Sequence, residues 1–185
     1  MSSSKEILLC GNWKMNFGPA ETIAFLEKLE VPAKPHAKMR LYVPFLSLNA
    51  ALATVKARGL PIQIGAQNVH FEKSGAFTGE ISASMLKEVG ITHALVGHSE
   101  RRQYFNETNE TVLKRTQSGL EQGLEILACI GETLAERNSD QTEAVLKAQL
   151  MPLLENATCK THFGSALHIA YEPVWRSEEH TSELQ

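Results

Sequence analysis

The chain has 185 residues, which is enough for one domain with a substantial hydrophobic core. Its hydrophobic fraction of 43% and charged fraction of 21% are typical of an ordinary soluble globular protein. The net charge of -3 and the isoelectric point of ≈ 6.2 exclude the strongly basic surface that proteins use to bind nucleic acid or anionic membranes.

The cysteines and the N-terminal residues predict a location in the cell. Cys10, Cys129 and Cys159 are widely spaced and form no CxxC pair, which argues against a disulfide framework or a zinc site. The first six residues are not followed by the apolar segment of a signal peptide. No apolar run approaches the roughly 18 residues that a membrane-spanning helix needs. We therefore expect a cytoplasmic protein without a membrane partner.

Short apolar runs alternate along the chain with helical patterns. The predicted strands are 7–10, 41–43, 62–66, 93–96, 126–130 and 167–171. The predicted helices begin at Pro19, after a capping Ser47, after Ser82, at Ser99, near Glu107 and before Leu146. Residues 31–38 contain two prolines and are predicted to be a loop.

Residues 67–81 form the one long stretch with little periodicity. Loops of about fifteen residues inside a compact domain are uncommon and usually functional. The strands on either side are otherwise mostly about thirty residues apart, with helices between them. Regular alternation of this kind predicts an α/β fold with a parallel sheet covered by helices. A (β/α) barrel and a doubly wound sheet both fit, but the absence of a GxGxxG motif after the first strand disfavours a dinucleotide-binding fold.

Polar residues follow the carboxyl ends of the predicted strands. They are Asn12 and Lys14, His98 and Glu100, Glu132, and Glu172. This end of the strands carries the active site in barrels and in open α/β sheets alike. The pattern therefore predicts one catalytic face.

These residues suit the enolisation of a carbonyl compound. Glu172, between the last strand and Pro173, is the candidate base. His98 directly precedes a predicted helix, whose N-terminus disfavours the imidazolium, so a neutral ring can donate a hydrogen bond to a developing oxyanion. Lys14 offers a positive charge to an anionic substrate, and Asn12 can orient it. Each residue alone also has an ordinary structural interpretation as a surface charge, a cap or a packed side chain.

Five motifs resemble those of the triosephosphate isomerase family, in the family's order. They are Gly11–Asn16 (GNWKMN), 65–69 (GAQNV) with 74–82 (SGAFTGEIS), 96–102 (VGHSERR), 129–132 (CIGE) and 170–175 (AYEPVW). The resemblance implies a (β/α)8 barrel of which about six of the eight βα units are present, in residues 1–175. It also implies interconversion of dihydroxyacetone phosphate and glyceraldehyde 3-phosphate, a step of glycolysis and gluconeogenesis, without a metal or another cofactor.

The resemblance also assigns roles to individual residues. Glu172 becomes the base that moves a proton between two carbons, and His98 becomes the neutral electrophile, as in a known example of pKa tuning. Lys14 becomes the electrostatic anchor, Asn12 helps to hold the substrate, and Glu100 supports the catalytic lysine.

The family is usually a homodimer in which the long third loop enters the neighbouring subunit. The resemblance therefore implies that Phe77, Thr78 and Gly79 are interface residues, with Thr78 at the tip. Apolar side chains on this loop, such as Phe71 and Phe77, are consistent with a partner. The alternative is a loop that folds onto its own subunit.

The chain departs from the family after Trp175. Residues 176–185 (RSEEHTSELQ) resemble a translated sequencing adapter, and we expect them to be a non-native tail. The family's lid and phosphate-binding glycine-rich loops have no counterpart, and a barrel typically needs about 250 residues. We therefore expect this chain by itself to be insoluble or inactive. The alternatives are another phosphosugar barrel enzyme and a non-catalytic fragment or pseudoenzyme.

Overall fold

The structure is a computed structural model that describes residues 7–32 and 37–175. Its six strands are neighbours in chain order, β1-β2-β3-β4-β5-β6, in one sheet. The bounds are β1 Ile7–Asn12, β2 Ala37–Val43, β3 Ile62–Ala66, β4 His93–Val96, β5 Glu125–Ile130 and β6 Leu167–Tyr171. The pairings β1–β2, β2–β3, β3–β4 and β5–β6 are parallel. The prediction of a parallel α/β sheet is therefore confirmed.

Eight α-helices connect these strands within the described residues. They are α1 Pro19–Lys28, α2 Leu48–Arg58, α3 Ala83–Glu88, α4 Ser99–Phe105, α5 Asn109–Glu121, α6 Leu134–Asn138, α7 Thr142–Glu155 and α8 Ala157–His162. A 3-10 turn, Phe45–Ser47, precedes α2. None of the helices in the described part of the chain is long and apolar enough to span a membrane.

The chain divides into two compact units. The first lies within Met1–Gln67 and Ser84–Ala94, and the second within Asn68–Ala83 and Leu95–Gln185. In the first unit, α1 packs on α2, and the side chain of Arg58 donates hydrogen bonds to the carbonyls of Leu26 (2.6 Å) and Leu29 (2.9 Å). These bonds satisfy carbonyl groups that the end of α1 leaves without helical partners.

The second unit is built around β5 and the helices that cover it. Residues 126–130 are all buried, as expected for a strand whose two faces are both covered. Helix α5 packs on β5 and on α8, and α7 packs on α8. The β5–β6 register pairs Cys129 with Ala170 and Ile130 with Tyr171, which brings the ends of these two strands side by side.

Three sequence predictions were wrong in detail. Strand β2 begins at Ala37, so residues 37–38 are not loop; they pair with β1. Ser47 precedes α2, but its hydroxyl donates to the carbonyl of Phe17 (2.8 Å) and does not cap the helix. Helix α5 begins at Asn109 after a capping Thr108, two residues later than predicted. The predicted tail, 176–185, lies outside the described residues.

Candidate active site

Glu172 directly follows β6 and is held by its backbone. Its N–H donates to the carbonyl of Ile130 (2.9 Å), and the N–H of Val174 donates to the carbonyl of Glu132 (3.0 Å). Pro173, between them, has no N–H to contribute. The chain after β6 therefore continues to run alongside the chain after β5. The Glu172 side chain is 37% exposed, so solvent reaches its carboxylate.

The structure brings His98 against Glu172. His98 lies between β4 and α4, and its side chain is only 5% exposed. Its Nδ1 accepts a hydrogen bond from the N–H of Glu100 (3.3 Å), and its Nε2 lies 3.2 Å from Oε2 of Glu172. Because Nδ1 is an acceptor, a neutral ring carries its proton on Nε2 and presents it to the carboxylate. This is the tautomer that can donate a hydrogen bond to a substrate oxygen.

Two arginines hold the start of α4, which follows His98. Arg102 donates to the carbonyls of Gly97 (2.9 Å) and Cys129 (3.4 Å), so it connects the residues after β4 with the end of β5. Arg101 pairs with the buried carboxylate of Glu107. The bonds of Arg102 thus tie the residue before His98 to β5, and the Arg101–Glu107 pair ties α4 to the segment that follows it.

Glu132 is a buried carboxylate, 0% exposed, beside the predicted base. The hydroxyl of Tyr171 donates to both of its oxygens (3.1 Å each), and the indole N–H of Trp175 donates to Oε1 (3.2 Å). Burial alone would raise the pKa of Glu132. Hydrogen bonds from its own backbone, Trp175 and Tyr171, together with the charge of Arg137, outweigh burial and lower that pKa. Glu132 thus remains ionised and binds residues on both sides of Glu172.

In the first unit, the end of β1 carries Asn12 and Lys14. The backbone N–H of Lys14 donates to Oδ1 of Asn12 (3.0 Å). The amide nitrogen of Gln67 donates to the same oxygen (3.2 Å) and to the carbonyls of Lys14 (2.8 Å) and Tyr42 (3.2 Å). Lys14 has a φ of 51°, an uncommon conformation for a residue other than glycine. The structure therefore places Asn12 and Lys14 together in a tightly bonded turn.

The predicted interface residues lie on the long loop, which contains no helix or strand between Asn68 and Ser82 apart from a single bridge of His70 with Ser82. Phe77, Thr78 and Gly79 are exposed, and the Phe77 ring lies 4.5 Å from the ring of His70. Arg115, on α5, anchors the two ends of this loop. Its Nη1 donates to the carbonyl of Val69 (2.6 Å) and to the carboxylate of Glu80 (3.2 Å).

Two thiols of the chain have a raised pKa. Burial raises the pKa of Cys159 to about 11, and burial also raises the pKa of Cys10. A thiol is a good nucleophile only as the thiolate. A raised pKa makes both of these thiols weaker nucleophiles near neutral pH.

Sequence reasoning missed the neutral amides that support the site. Gln67 donates a hydrogen bond to the carbonyl of Lys14 in the turn after β1. Gln149 accepts a hydrogen bond from the N–H of Gly131 (2.8 Å) and donates one to its carbonyl (2.9 Å). Gln67 was within a motif, but no role was predicted for it. Gln149 lies in the middle of α7, and no local pattern distinguishes it from a surface glutamine.

A family model described as triosephosphate isomerase matches residues 7–177. Curated relatives named triosephosphate isomerase include those of Solibacter usitatus (51% identical over 170 residues), Alkaliphilus metalliredigens (47% over 169) and Synechocystis sp. (43% over 174). These alignments cover 91%, 91% and 92% of this chain and 67%, 66% and 69% of the respective relatives. The chain thus spans about two thirds of the length of the relatives that it matches.

Proposed function

Because the chain belongs to the triosephosphate isomerase family, we propose that it supplies the proton-transfer groups for interconverting dihydroxyacetone phosphate and glyceraldehyde 3-phosphate. Glu172 is the base, and His98 is the electrophile. The observation that carries this proposal is the 3.2 Å distance between Nε2 of His98 and Oε2 of Glu172.

The reaction needs only one base and one hydrogen-bond donor. The Glu172 carboxylate removes a proton from C1 of dihydroxyacetone phosphate. The electrons of the broken C–H bond form a C1=C2 double bond, and the π electrons of the carbonyl group move onto the oxygen at C2. The Nε2–H of His98 donates a hydrogen bond to the resulting enediolate. After a proton moves between the two oxygens, protonated Glu172 returns its proton to C2 and forms the aldehyde. No electron or proton is gained or lost overall.

The resting contact explains how the base is made available. In the structure, the Nε2–H of His98 faces Oε2 of Glu172. A substrate carbonyl oxygen that accepts this hydrogen bond replaces the carboxylate as its partner. The carboxylate thus gives up its contact with His98 when the substrate binds, before it accepts a proton from carbon.

Lys14 and Asn12 are proposed to bind the substrate in the first unit. The ammonium group of Lys14 attracts a phosphorylated triose and stabilises negative charge on the enediolate. The Oδ1 of Asn12 is occupied by the N–H of Lys14 and by Gln67. The Asn12 Nδ2 group is then the part of that side chain that donates to substrate.

We also propose a homodimer formed through the long loop between Asn68 and Ser82, in a reducing compartment such as the cytoplasm. The loop ends are anchored by Arg115, while Phe77 remains 42% exposed at the tip. An exposed aromatic side chain on an anchored loop suits a preformed interface. Light scattering of the parent and of Phe77→Ser measures this. A monomeric parent would contradict the homodimer, and a Phe77→Ser variant that is as fully dimeric as its parent would contradict the role of Phe77.

The activity test uses two proteins. One is the 185-residue chain, and the other is residues 1–175 followed by the remaining segment of the Solibacter usitatus relative. Conversion of glyceraldehyde 3-phosphate is followed in both. We expect Glu172→Gln to lower kcat by about 10⁴-fold and Glu172→Asp, which withdraws the carboxylate, by about 100-fold.

The matched control is Glu155→Gln, an exposed glutamate at the end of α7. This variant is expected to turn over like its parent. An unchanged kcat in Glu172→Gln would mean that another group is the base. Absence of turnover in both parent proteins would favour the non-catalytic alternative.

A further inference from the structure

Gln149 makes an unusual pair of bonds with the backbone after β5. Its Oε1 accepts a hydrogen bond from the N–H of Gly131 (2.8 Å), and its Nε2 donates to the carbonyl of the same residue (2.9 Å). One side-chain amide thus satisfies both backbone groups of one residue. Only this orientation of the amide makes both bonds, because a carboxamide has one accepting and one donating end.

Beyond the end of β5, these bonds take the place of pairing with a neighbouring strand. In extended chain, the backbone groups of successive residues point to opposite sides. On one side, the carbonyls of Ile130 and Glu132 accept from the N–H groups of Glu172 and Val174. Gly131, between them, points the other way, and Gln149 pairs with it there as a neighbouring strand would. The amide therefore keeps residues 130–132 extended beyond the last residue of β5.

The extended segment is pressed against the backbone of Glu172. A Cβ atom placed on Gly131 would lie 2.0 Å from the carbonyl oxygen of Glu172 and 3.4 Å from the Cα of Pro173. The absence of a side chain at Gly131 is what permits this approach. A rotation of the Gly131 backbone would disturb its contact with the Glu172 carbonyl group. It would also tilt the carbonyls of Ile130 and Glu132, which accept hydrogen bonds from residues 172 and 174.

We propose that Gln149 is a positioning residue for the Glu172 carboxylate. It acts through Gly131: the amide fixes the plane of the Gly131 backbone, and that backbone fixes the main chain from which the Glu172 side chain projects. Gln149 does not touch the carboxylate or the substrate. The inference that this positioning matters for turnover rests on the proposed function, whereas the positioning itself does not.

The structural test reads out His98 in the 185-residue chain or, if that chain is insoluble, in the extended protein of the preceding assay. Long-range ¹H–¹⁵N spectra give the chemical shifts of the His98 ring, whose Nε2 faces Glu172. The variant His98→Asn identifies the His98 signals, because they disappear from those of the seven histidines. The variants are Gln149→Met, which loses both bonds, and Gln149→Glu, which keeps the acceptor for the Gly131 N–H. The control is Lys147→Met, an exposed position on the same helix.

The expected result is a shift of the His98 ring signals in Gln149→Met, a smaller shift in Gln149→Glu and none in Lys147→Met. Amide exchange at Gly131 should rise in Gln149→Met only. Unchanged His98 signals together with faster Gly131 exchange would overturn the proposal, because the bonds would then be lost without moving Glu172. Unfolding of both Gln149 variants would also overturn it, since the role would be one of general stability.

The kinetic arm uses whichever of the two proteins of the preceding assay turns over. Gln149→Met should lower kcat by about tenfold or more while KM changes by less than about threefold, as expected for a misplaced base. An equal loss of kcat in the Lys147→Met control would overturn the inference that this positioning matters for turnover. If neither parent turns over, the proposed function fails, and the His98 spectra still decide whether Gln149 positions Glu172.

Discussion

The ends of β1 and β6 fix their polar side chains in two different ways. After β1, the chain turns sharply, and Lys14 adopts a left-handed conformation with a φ of 51°. After β6, the chain remains extended, and Glu172 continues the hydrogen-bonded pairing with the residues after β5. The first end is held by a local turn with an uncommon backbone angle. The second is held by its neighbouring strand and by side chains from several elements.

Both ends nevertheless depend on a glutamine amide that bonds to backbone. Gln67 donates to the carbonyls of Lys14 and Tyr42, and Gln149 bonds both backbone groups of Gly131. A carboxamide is suited to this task because it is neutral at every physiological pH and can both donate and accept. The residues to which we assign the chemistry are therefore supported in part by uncharged side chains that hold the backbone.

The largest effect is expected for Gly131→Ala, which tests the end of β6. The added methyl group would lie 2.0 Å from the Glu172 carbonyl oxygen, so the two segments must separate. We expect a loss of about 3 kcal/mol in the free energy of unfolding, the upper range for overpacking. Urea unfolding measures it. The control is Gly18→Ala, where the methyl meets nothing within 4 Å; its cost should stay below about 1 kcal/mol.

A similar loss in both glycine variants would contradict the close approach at Gly131. It would mean that the segments after β5 and β6 are free to separate without cost. Glu172 would then be placed by its local chain alone, as Lys14 is placed by its turn after β1.

The next effect concerns the charge of Glu132, whose pKa is lowered from its ordinary value of 4.5. A lowered pKa in the folded state contributes stability above the unfolded pKa, and this contribution is lost as the pH falls through the folded value. Glu132→Gln should therefore cost about 2 kcal/mol near pH 7 and progressively less below pH 4.5. Urea unfolding at several pH values measures the difference.

The exposed Glu155→Gln is the control for that series, since it removes one carboxylate without touching Tyr171 or Trp175. Its unfolding free energy should follow the parent at every pH. A cost of Glu132→Gln that is the same at pH 7 and pH 3 would show that the loss comes from packing and not from charge.

Local patterns predicted the strands well where the side chains are apolar. β3, β4 and β6 begin and end where predicted, because each is a short apolar run with a turn signal on both sides. The start of β2 was missed because Lys38 and Arg40 interrupt its apolar pattern. Arg40 is nevertheless buried, with its guanidinium bonded to the Gln63 side chain on β3. That partner is 23 residues away, so a local pattern cannot reveal it.

The same limit applies to the candidate site. His98, Glu172, Asn12 and Lys14 were predicted because charged and polar residues after apolar strands stand out and lie in recognisable motifs. Gln149, by contrast, was not predicted, because its partner Gly131 is 18 residues away. Glu132 was predicted on the catalytic face, but its bond to Tyr171, which is 39 residues away, was not. Their roles depend on the pairing of β5 with β6 and on the packing of α7. Residues that support a site through tertiary contacts leave no signal at fixed spacing.

A smaller effect is expected at the end of β1, from Gln67→Leu. This variant keeps the size of the side chain but leaves the carbonyls of Lys14 and Tyr42 without the Gln67 donor. We expect a loss of about 1.5 kcal/mol in the free energy of unfolding. Urea unfolding measures it, and Gln103→Leu, at an exposed position on α4, is the control. No loss in Gln67→Leu would show that the turn after β1 holds itself by its backbone alone.

The smallest effect on stability is expected for Lys14→Gly, which tests the backbone angle of that turn. Glycine adopts a φ of 51° without strain, but it also gains more freedom in the unfolded chain, and the two terms oppose each other. The free energy of unfolding should change by less than about 1 kcal/mol, whereas Lys14→Pro, which cannot adopt a positive φ, should destabilise the chain clearly. If Lys14→Gly is also neutral for turnover in the isomerase assay, Lys14 is not the electrostatic anchor. Loss of turnover with retained stability would instead show that the protein accepts an uncommon backbone angle at this position in order to place an ammonium group there.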